Sequence, residues 1–323
     1  MRPRVAALLL AVPFSLAAAE STGQIPVPSG APKAPTDSVT LGFCWAPGMK
    51  ADVTASASRT QTNAPPRGGT IRYAIEVSEQ GEHLRVRLVD PVADLSGVKQ
   101  PISPEAQAQI DDRLDDLLPD YLITREGKFA ALTDLAAYQA RVRAMIEKSL
   151  PPKVDRAAIQ KGLDRATSEP VLNARVSQEW NVLVQAWAGS TLPIGVEQTR
   201  QVRLGAPNTT GVVVTHTYSA TARVPCQRGG QDRACVQLDL RSVPDSEAVK
   251  AQMGAALAAM GRTATTEVRS MSIDEHVRLI TEAECLIPHS FTRTRVQKIT
   301  MLNKGKEESV ERTDRSVVSY TFR

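Results

Sequence analysis

The sequence predicts an α+β fold: antiparallel, curved sheet(s) with packed helices, arranged as two related halves. Three observations carry this. Met49, Ala51, Val53, Ala55 and Ala57 alternate with polar neighbours, and Ile71, Tyr73, Ile75 and Val77 do the same, the period of two expected of half-buried strands. A block of helical periodicity between residues 103 and 187 separates two strand-rich regions, the order typical of α+β chains. Each strand-rich region also offers a hairpin followed by a proline and then a helix, at Val89-Asp90-Pro91 and at Ser242-Val243-Pro244-Asp245. The expected organisation is a signal peptide at 1–19, a flexible Pro-rich tether at 20–42, a first half at 43–168 and a second at 169–323. Whether the halves are one domain or two stays open.

The N-terminus has the three parts of a secretory signal. Met1-Arg2-Pro3-Arg4 is positive, residues 5–16 are apolar except for Pro13 and Ser15, and Ala17-Ala18-Ala19 offers a cleavage site before Glu20. An apolar run of about a dozen residues is short of the ~20 needed to cross a bilayer. Export to the bacterial periplasm, with cleavage after Ala19, is the expectation, and no membrane span is expected. Pro26, Pro28, Pro32 and Pro35, mixed with Ser, Thr, Gly and Ala, then read as an extended tether.

After the strand at 49–58 and the hairpin at 71–88, which turns at Glu79-Gln80-Gly81-Glu82, Ser103-Pro104-Glu105 marks a helix start, with a capping hydroxyl and a proline at the first helical position. Ile110, Leu114, Leu117 and Leu118 form its stripe. Leu135, Tyr138, Val142, Met145 and Ile146 form another, which Pro151-Pro152 ends. Two more amphipathic helices are expected at 154–166 and 170–187. Strands follow near 195–204, 211–224, 234–242, 265–272, 274–281, 290–301 and 309–322, with one helix at 245–260.

Cys44, Cys226, Cys235 and Cys285 are an even set, which in an oxidising compartment reads as disulfides. Four cysteines allow three connectivities. Cys226 and Cys235 flank a polar turn between two strand-like runs and are the preferred pair, which leaves Cys44 with Cys285. No Cys-x-x-Cys and no spaced His pair is present, so no metal site is expected. Without its first 19 residues the chain holds 37 Lys+Arg against 35 Asp+Glu, and aromatics are 4% of the whole. Near-balance of charge and scarce aromatics argue against nucleic acid as a partner.

No constellation commits the chain to a reaction, and neither a catalytic residue nor a cofactor is expected. Gly-x-Ser-x-Gly, P-loop and dinucleotide fingerprints are all missing from the sequence. Asp111-Asp112 and Asp115-Asp116 read as the solvated face of a helix. The clearest functional lead is apolar: Trp180 and Trp187 on one helix, Met253 and Met260 on another, are core stripes that could instead line a ligand pocket.

Some stretches resemble a loose group of uncharacterised exported bacterial proteins. They are Gly127-Lys128-Phe129-Ala130-Ala131-Leu132, the run from Glu179 to Gly189 including Trp180 and Trp187, and Arg278-Leu279-Ile280-Thr281-Glu282 continuing to Leu286-Ile287-Pro288-His289. The resemblance brings no catalytic residues. In architecture the strands and helices resemble periplasmic lipoprotein carriers, which implies a curved sheet that shields an acyl chain. The reading that results is a non-enzymatic periplasmic protein binding a lipid or other apolar ligand, or an envelope protein. The alternative is a periplasmic hydrolase using His289 or His276 with an acid such as Asp274 or Glu284.

Overall fold

The structure, a computed structural model, describes residues 37–94, 103–115, 117–149, 160, 162–164, 166–204, 211–259, 266–303 and 305–323. The signal, most of the tether and most of the helix expected at 154–166 lie outside the described residues. The strands are β1 (Ser38–Thr40), β2 (Lys50–Gln61), β3 (Ala64–Gln80), β4 (His83–Asp94), β5 (Tyr121–Ile123), β6 (Phe129–Leu132) and β7 (Thr191–Pro193). They continue as β8 (Gln198–Leu204), β9 (Val212–Arg228), β10 (Gln231–Pro244), β11 (Thr266–Glu282), β12 (Ile287–Asn303) and β13 (Lys306–Phe322). The helices are α1 (Pro104–Asp115), α2 (Leu135–Ser149), α3 (Glu169–Trp180) and α4 (Ser246–Ala259).

The expected α+β class with two related halves is corrected by the sheet topology. Eleven strands form one antiparallel sheet, in the order β6-β5-β4-β3-β2-β13-β12-β11-β10-β9-β8, and its ends do not meet. The protein is mostly strand, with few helices. The physical reason is one long-range ladder: β13 pairs with β2 from Arg312 opposite Gln61 to Phe322 opposite Ala51. That ladder fuses the meander before the helical block with the meander after it. β1 and β7 form a separate two-stranded sheet.

The strands are long, with β3, β9, β11, β12 and β13 reaching 17 residues each, about 56 Å at 3.3 Å per residue. Residues 265–272 and 274–281, which read as two strands, are the single strand β11. The Pro-rich run after Asn63 belongs to β3. Pro65 and Pro66 are tolerated there because β4 pairs with β3 only from Thr70 onward, so this end of β3 has one neighbour. Asn63, at φ 61°, makes the turn from β2.

One face of the sheet is wet and the other is covered. On the covered face of β11, Met271, Ile273, Val277 and Leu279 are buried, while Ser272, His276 and Arg278 between them are exposed. Two apolar cores sit on that face. The larger joins Trp45, Trp180, Leu183, Val184 and Trp187 to Val53, Ile75, Val86, Leu238, Leu279, Phe291, Val318 and Tyr320. The smaller lies under α4, where Val249 and Met253 pack on Val212, Val214, Val268, Met271 and Ile273. A third cluster, Leu132, Tyr138, Val142 and Leu172, binds α2 and α3 to β6.

The segment just before β2 fastens the larger core. Leu41 donates to Ser190 O and Gly42 to Ala283 O, both at 2.8 Å, and Cys44 is bonded to Cys285. A side chain at Gly42 would put Cβ 2.3 Å from Glu284 O, so only glycine fits this approach.

Candidate functional site

α3 begins with Glu169 and Pro170 in its first turn, residue types that suit a helix start. At its C-terminal end the helix widens into a π turn, Asn181–Gln185. That extra residue per turn re-aims the chain, and such turns often mark functional positions. Trp180 points into the core, where it meets Trp45 edge-on at a ring separation of 5.1 Å and donates from Nε1 to Gly127 O at 2.7 Å. Glu179, its neighbour, points elsewhere.

Glu179 is solvent-accessible, yet desolvation pushes its carboxyl above the usual carboxylate range, with Arg293 opposing. The two facts agree if the carboxyl stands in a recess: water reaches it, but protein crowds it on most sides. Its neighbours come from the covered face of the sheet. Tyr73 (β3), Tyr121 (β5) and Tyr320 (β13) all have hydroxyls held above the usual phenol pKa by desolvation first and the Glu179 charge second. Tyr320 is 6% exposed. Its buried hydroxyl has no hydrogen-bond partner among the described residues, a costly arrangement unless something fills the position.

Beside this recess a polar row crosses the covered face. In register, strand by strand, it runs Arg200, His216, Ser242, Glu275, Arg295, Asp314, Arg59 and Arg67. Side chains two apart on a strand share a face, so Arg293 and Arg312 flank the row on the same side. Arg293 donates to Glu275 at 2.6 Å, Arg59 to Asp314 at 2.5 Å, and His216 Nδ1 lies 2.8 Å from Ser242 Oγ. Arg295, 5% exposed, is the most buried cation among the described residues. Desolvation and the Arg200 charge push the His216 pKa down. Together these positions hold six arginines against two carboxylates.

Between the row and the tyrosines the floor is made of small or apolar residues. Val318, Ala55 and Ile71 form one step and Ser316, Ala57 and Gly69 the next. Val318 is buried, Ala55, Ile71, Ser316 and Gly69 are half-buried and Ala57 is exposed. The covered face is therefore less fully packed at Ile71, Ala57 and Gly69 than at Val318 and Ala55, which belong to the larger core and its margin.

The four residues singled out from the sequence as an apolar pocket do not meet in one place. Trp180 and Trp187 belong to the larger core, where each indole N–H donates to a backbone carbonyl, Gly127 O and Val182 O. Met253 packs in the smaller core under α4. Met260 lies outside the described residues. The π turn between the tryptophans also breaks the seven-residue helical spacing read from the sequence.

Cys226 is bonded to Cys235 across the β9–β10 hairpin, and Cys44 to Cys285. The sulfurs of Cys226 and Cys235 and a ring nitrogen of His289 lie within 4.8 Å of one another, but the disulfide removes the thiolates a metal would need. His289 Nε2 is 3.2 Å from Glu282 Oε1. His276, on the wet face, is 3.0 Å from Asp239, while Asp274 is held in a two-pronged pair by Arg241. Among the described residues, the hydrogen-bonded acids of His289 and His276 are thus Glu282 and Asp239.

No family model and no curated protein matches the chain, so the sequence likeness to exported bacterial proteins gains no support from relatives. Among solved structures the chain is similar to one of lipovitellin, described for its lipid–protein interactions. The identity is 11% and the TM-score 0.40, over 86% of this chain and 26% of that one. The chain thus spans about a quarter of the lipovitellin chain, and a likeness this loose fixes neither fold detail nor ligand. Among the described residues no helix is long and apolar enough to cross a membrane. The two disulfides are consistent with an extracellular or periplasmic protein.

Proposed function

We propose that the protein is a non-enzymatic periplasmic binding protein, exported by residues 1–19, that holds an apolar ligand on the covered face of its sheet. The observation that carries this reading is the unfilled strip of that face. Ala57, Gly69 and the half-buried Ile71 lie between the margin of the larger core, on which Ala55 packs, and the polar row at Arg59 and Arg67. A protein that needed only to be stable would close such a strip with large side chains, as it does under α4. Open apolar floor with a few converging polar groups is instead the usual make-up of a small-molecule site.

The test is mass spectrometry of the purified full chain under native and then denaturing conditions, as isolated and after incubation with 1-dodecanol. Added mass that survives gentle ionisation and leaves on denaturation is expected. A bare mass in every arm would overturn the reading.

A further inference from the structure

The Cys226–Cys235 disulfide keeps polar company that a staple does not need. Cys226 lies on β9 and Cys235 on β10, with Cα atoms 5.8 Å apart. The hairpin they bridge is already paired from Gln231 opposite Arg228 to Pro244 opposite Val214. In the next ladder Glu282 of β11 stands directly opposite Cys235. On β12, Ser290 pairs with Ile280 and Pro288 with Thr281, which leaves His289 as the extra residue of a bulge. Bulges re-aim side chains and are common beside active sites. Here a ring nitrogen of His289 comes within 4.8 Å of both sulfurs.

His289 Nε2 lies 3.2 Å from Glu282 Oε1, and Arg228 Nε approaches the same oxygen at 3.4 Å. Glu282 is buried, and burying such groups is costly unless they pair, so apolar neighbours would serve a plain staple better. The two sulfurs also differ in access. Cys235 is 2% exposed, whereas Cys226 is half-buried with its Sγ 3.4 Å from Arg233 O. Cys44–Cys285 supplies the contrast. Cys44 is exposed, but among the described residues no histidine nitrogen comes within that range of both sulfurs of its bond.

We infer that Cys226–Cys235 is a thiol–disulfide exchange site for an external dithiol, with Cys226 Sγ the sulfur attacked and His289 the proton donor to the leaving Cys235. A buried thiolate is a poor leaving group, because apolar surroundings raise its pKa. A proton delivered by the imidazole as the bond breaks removes that obstacle, and Glu282 holds the ring in place. In the first step one thiolate of the dithiol bonds to Cys226 Sγ. The Cys226–Cys235 bond breaks, and its electron pair leaves on Cys235 Sγ, which takes the proton of His289. The proton shed by the attacking thiol restores the imidazolium. In the second step the other thiol of the dithiol passes its proton to Cys226 and displaces it from the mixed disulfide. The dithiol ends as a disulfide and the protein holds both electrons and both protons as two thiols. This activity stands independently of the binding function proposed above.

The full chain, treated with dithiothreitol, quenched at intervals with N-ethylmaleimide and digested for mass spectrometry, reports both disulfides in one sample. Cys226–Cys235 is expected to open at least about tenfold faster than Cys44–Cys285, although Cys44 is the more exposed cysteine. His289→Ala should slow Cys226–Cys235 about tenfold and leave Cys44–Cys285 unchanged. Glu282→Gln, which keeps the shape and an acceptor beside the ring, should slow the same bond by less. If His289 only packed on the hairpin, its removal would loosen the bond and speed its reduction. A faster rate in His289→Ala, or a parent rate at Cys226–Cys235 no greater than at Cys44–Cys285, would overturn the inference.

Discussion

The two ends of the covered face are built from different material. Under α4 the core is aliphatic and complete, with Val212, Val214, Val249, Val268, Met271 and Ile273 closing on one another. Under α3 it is aromatic, and its margin carries Glu179, three tyrosines and an arginine row that apolar packing alone does not require. The two ends share β9, β11 and β12 and the same side-chain period. The difference teaches that the α4 end exists to hold the sheet together, whereas the margin of the α3 end bears polar groups at some cost to stability, as binding sites do.

Both disulfides lie away from the α4 end, and breaking each should rank the two closures. Replacing both Cys44 and Cys285 by Ser opens a closure of 241 residues, and the chain-entropy view puts its loss at about 5 kcal/mol against about 3 kcal/mol for the nine-residue Cys226–Cys235 closure. Guanidinium unfolding of the two double variants checks the order, and equal losses would refute it. Trp180→Ala should follow closely, at about 3–5 kcal/mol, because it empties the aromatic centre and orphans Gly127 O. Met253→Ala, at the half-buried edge of the aliphatic end, should cost less, about 1–2 kcal/mol.

Smaller effects sharpen the comparison. The folded protein holds the Glu179 carboxyl above its unfolded pKa, so the folded state keeps a proton that the unfolded state has lost. Its contribution therefore falls as pH rises from the unfolded value through the raised folded one. Glu179→Gln should flatten that slope and leave the variant no less stable at neutral pH, read by thermal unfolding across pH; a steeper slope would contradict the recess. His216 works in the opposite sense. Its pKa is lowered on folding, so stability is lost as pH falls through the unfolded histidine range. The smallest change is Tyr320→Phe, which should stay within about 0.5 kcal/mol of the parent or gain slightly, since no internal bond is lost.

Much of the local structure is legible in the sequence. The alternation from Met49 to Ala57, the start at Ser103-Pro104-Glu105 and the helix after Asp245 all lie where the period places them. The fold class was not legible, because it turns on β2 meeting β13 across more than 250 residues, and no local pattern reports such a ladder. The site was hidden for the same reason. Arg59, Asp314, Arg295 and Glu275 look like scattered charges until the register lines them up. One signal was available: on β12 the alternate positions Phe291, Arg293, Arg295, Gln297 and Ile299 put three polar residues where a covered face calls for apolar ones. Trp180 and Trp187 drew attention instead because aromatic stripes stand out, yet their indoles are satisfied core members.

The central claim is that a ligand occupies the strip between the tyrosine recess and the arginine row. Photo-crosslinking with a 1-dodecanol bearing a diazirine near mid-chain, followed by peptide mass spectrometry, tests that placement directly. Adducts on the β2 and β3 peptides carrying Ala55, Ala57, Gly69 and Ile71, competed away by unlabelled 1-dodecanol, are the predicted result. Adducts confined to α4 or to the wet face would contradict the account.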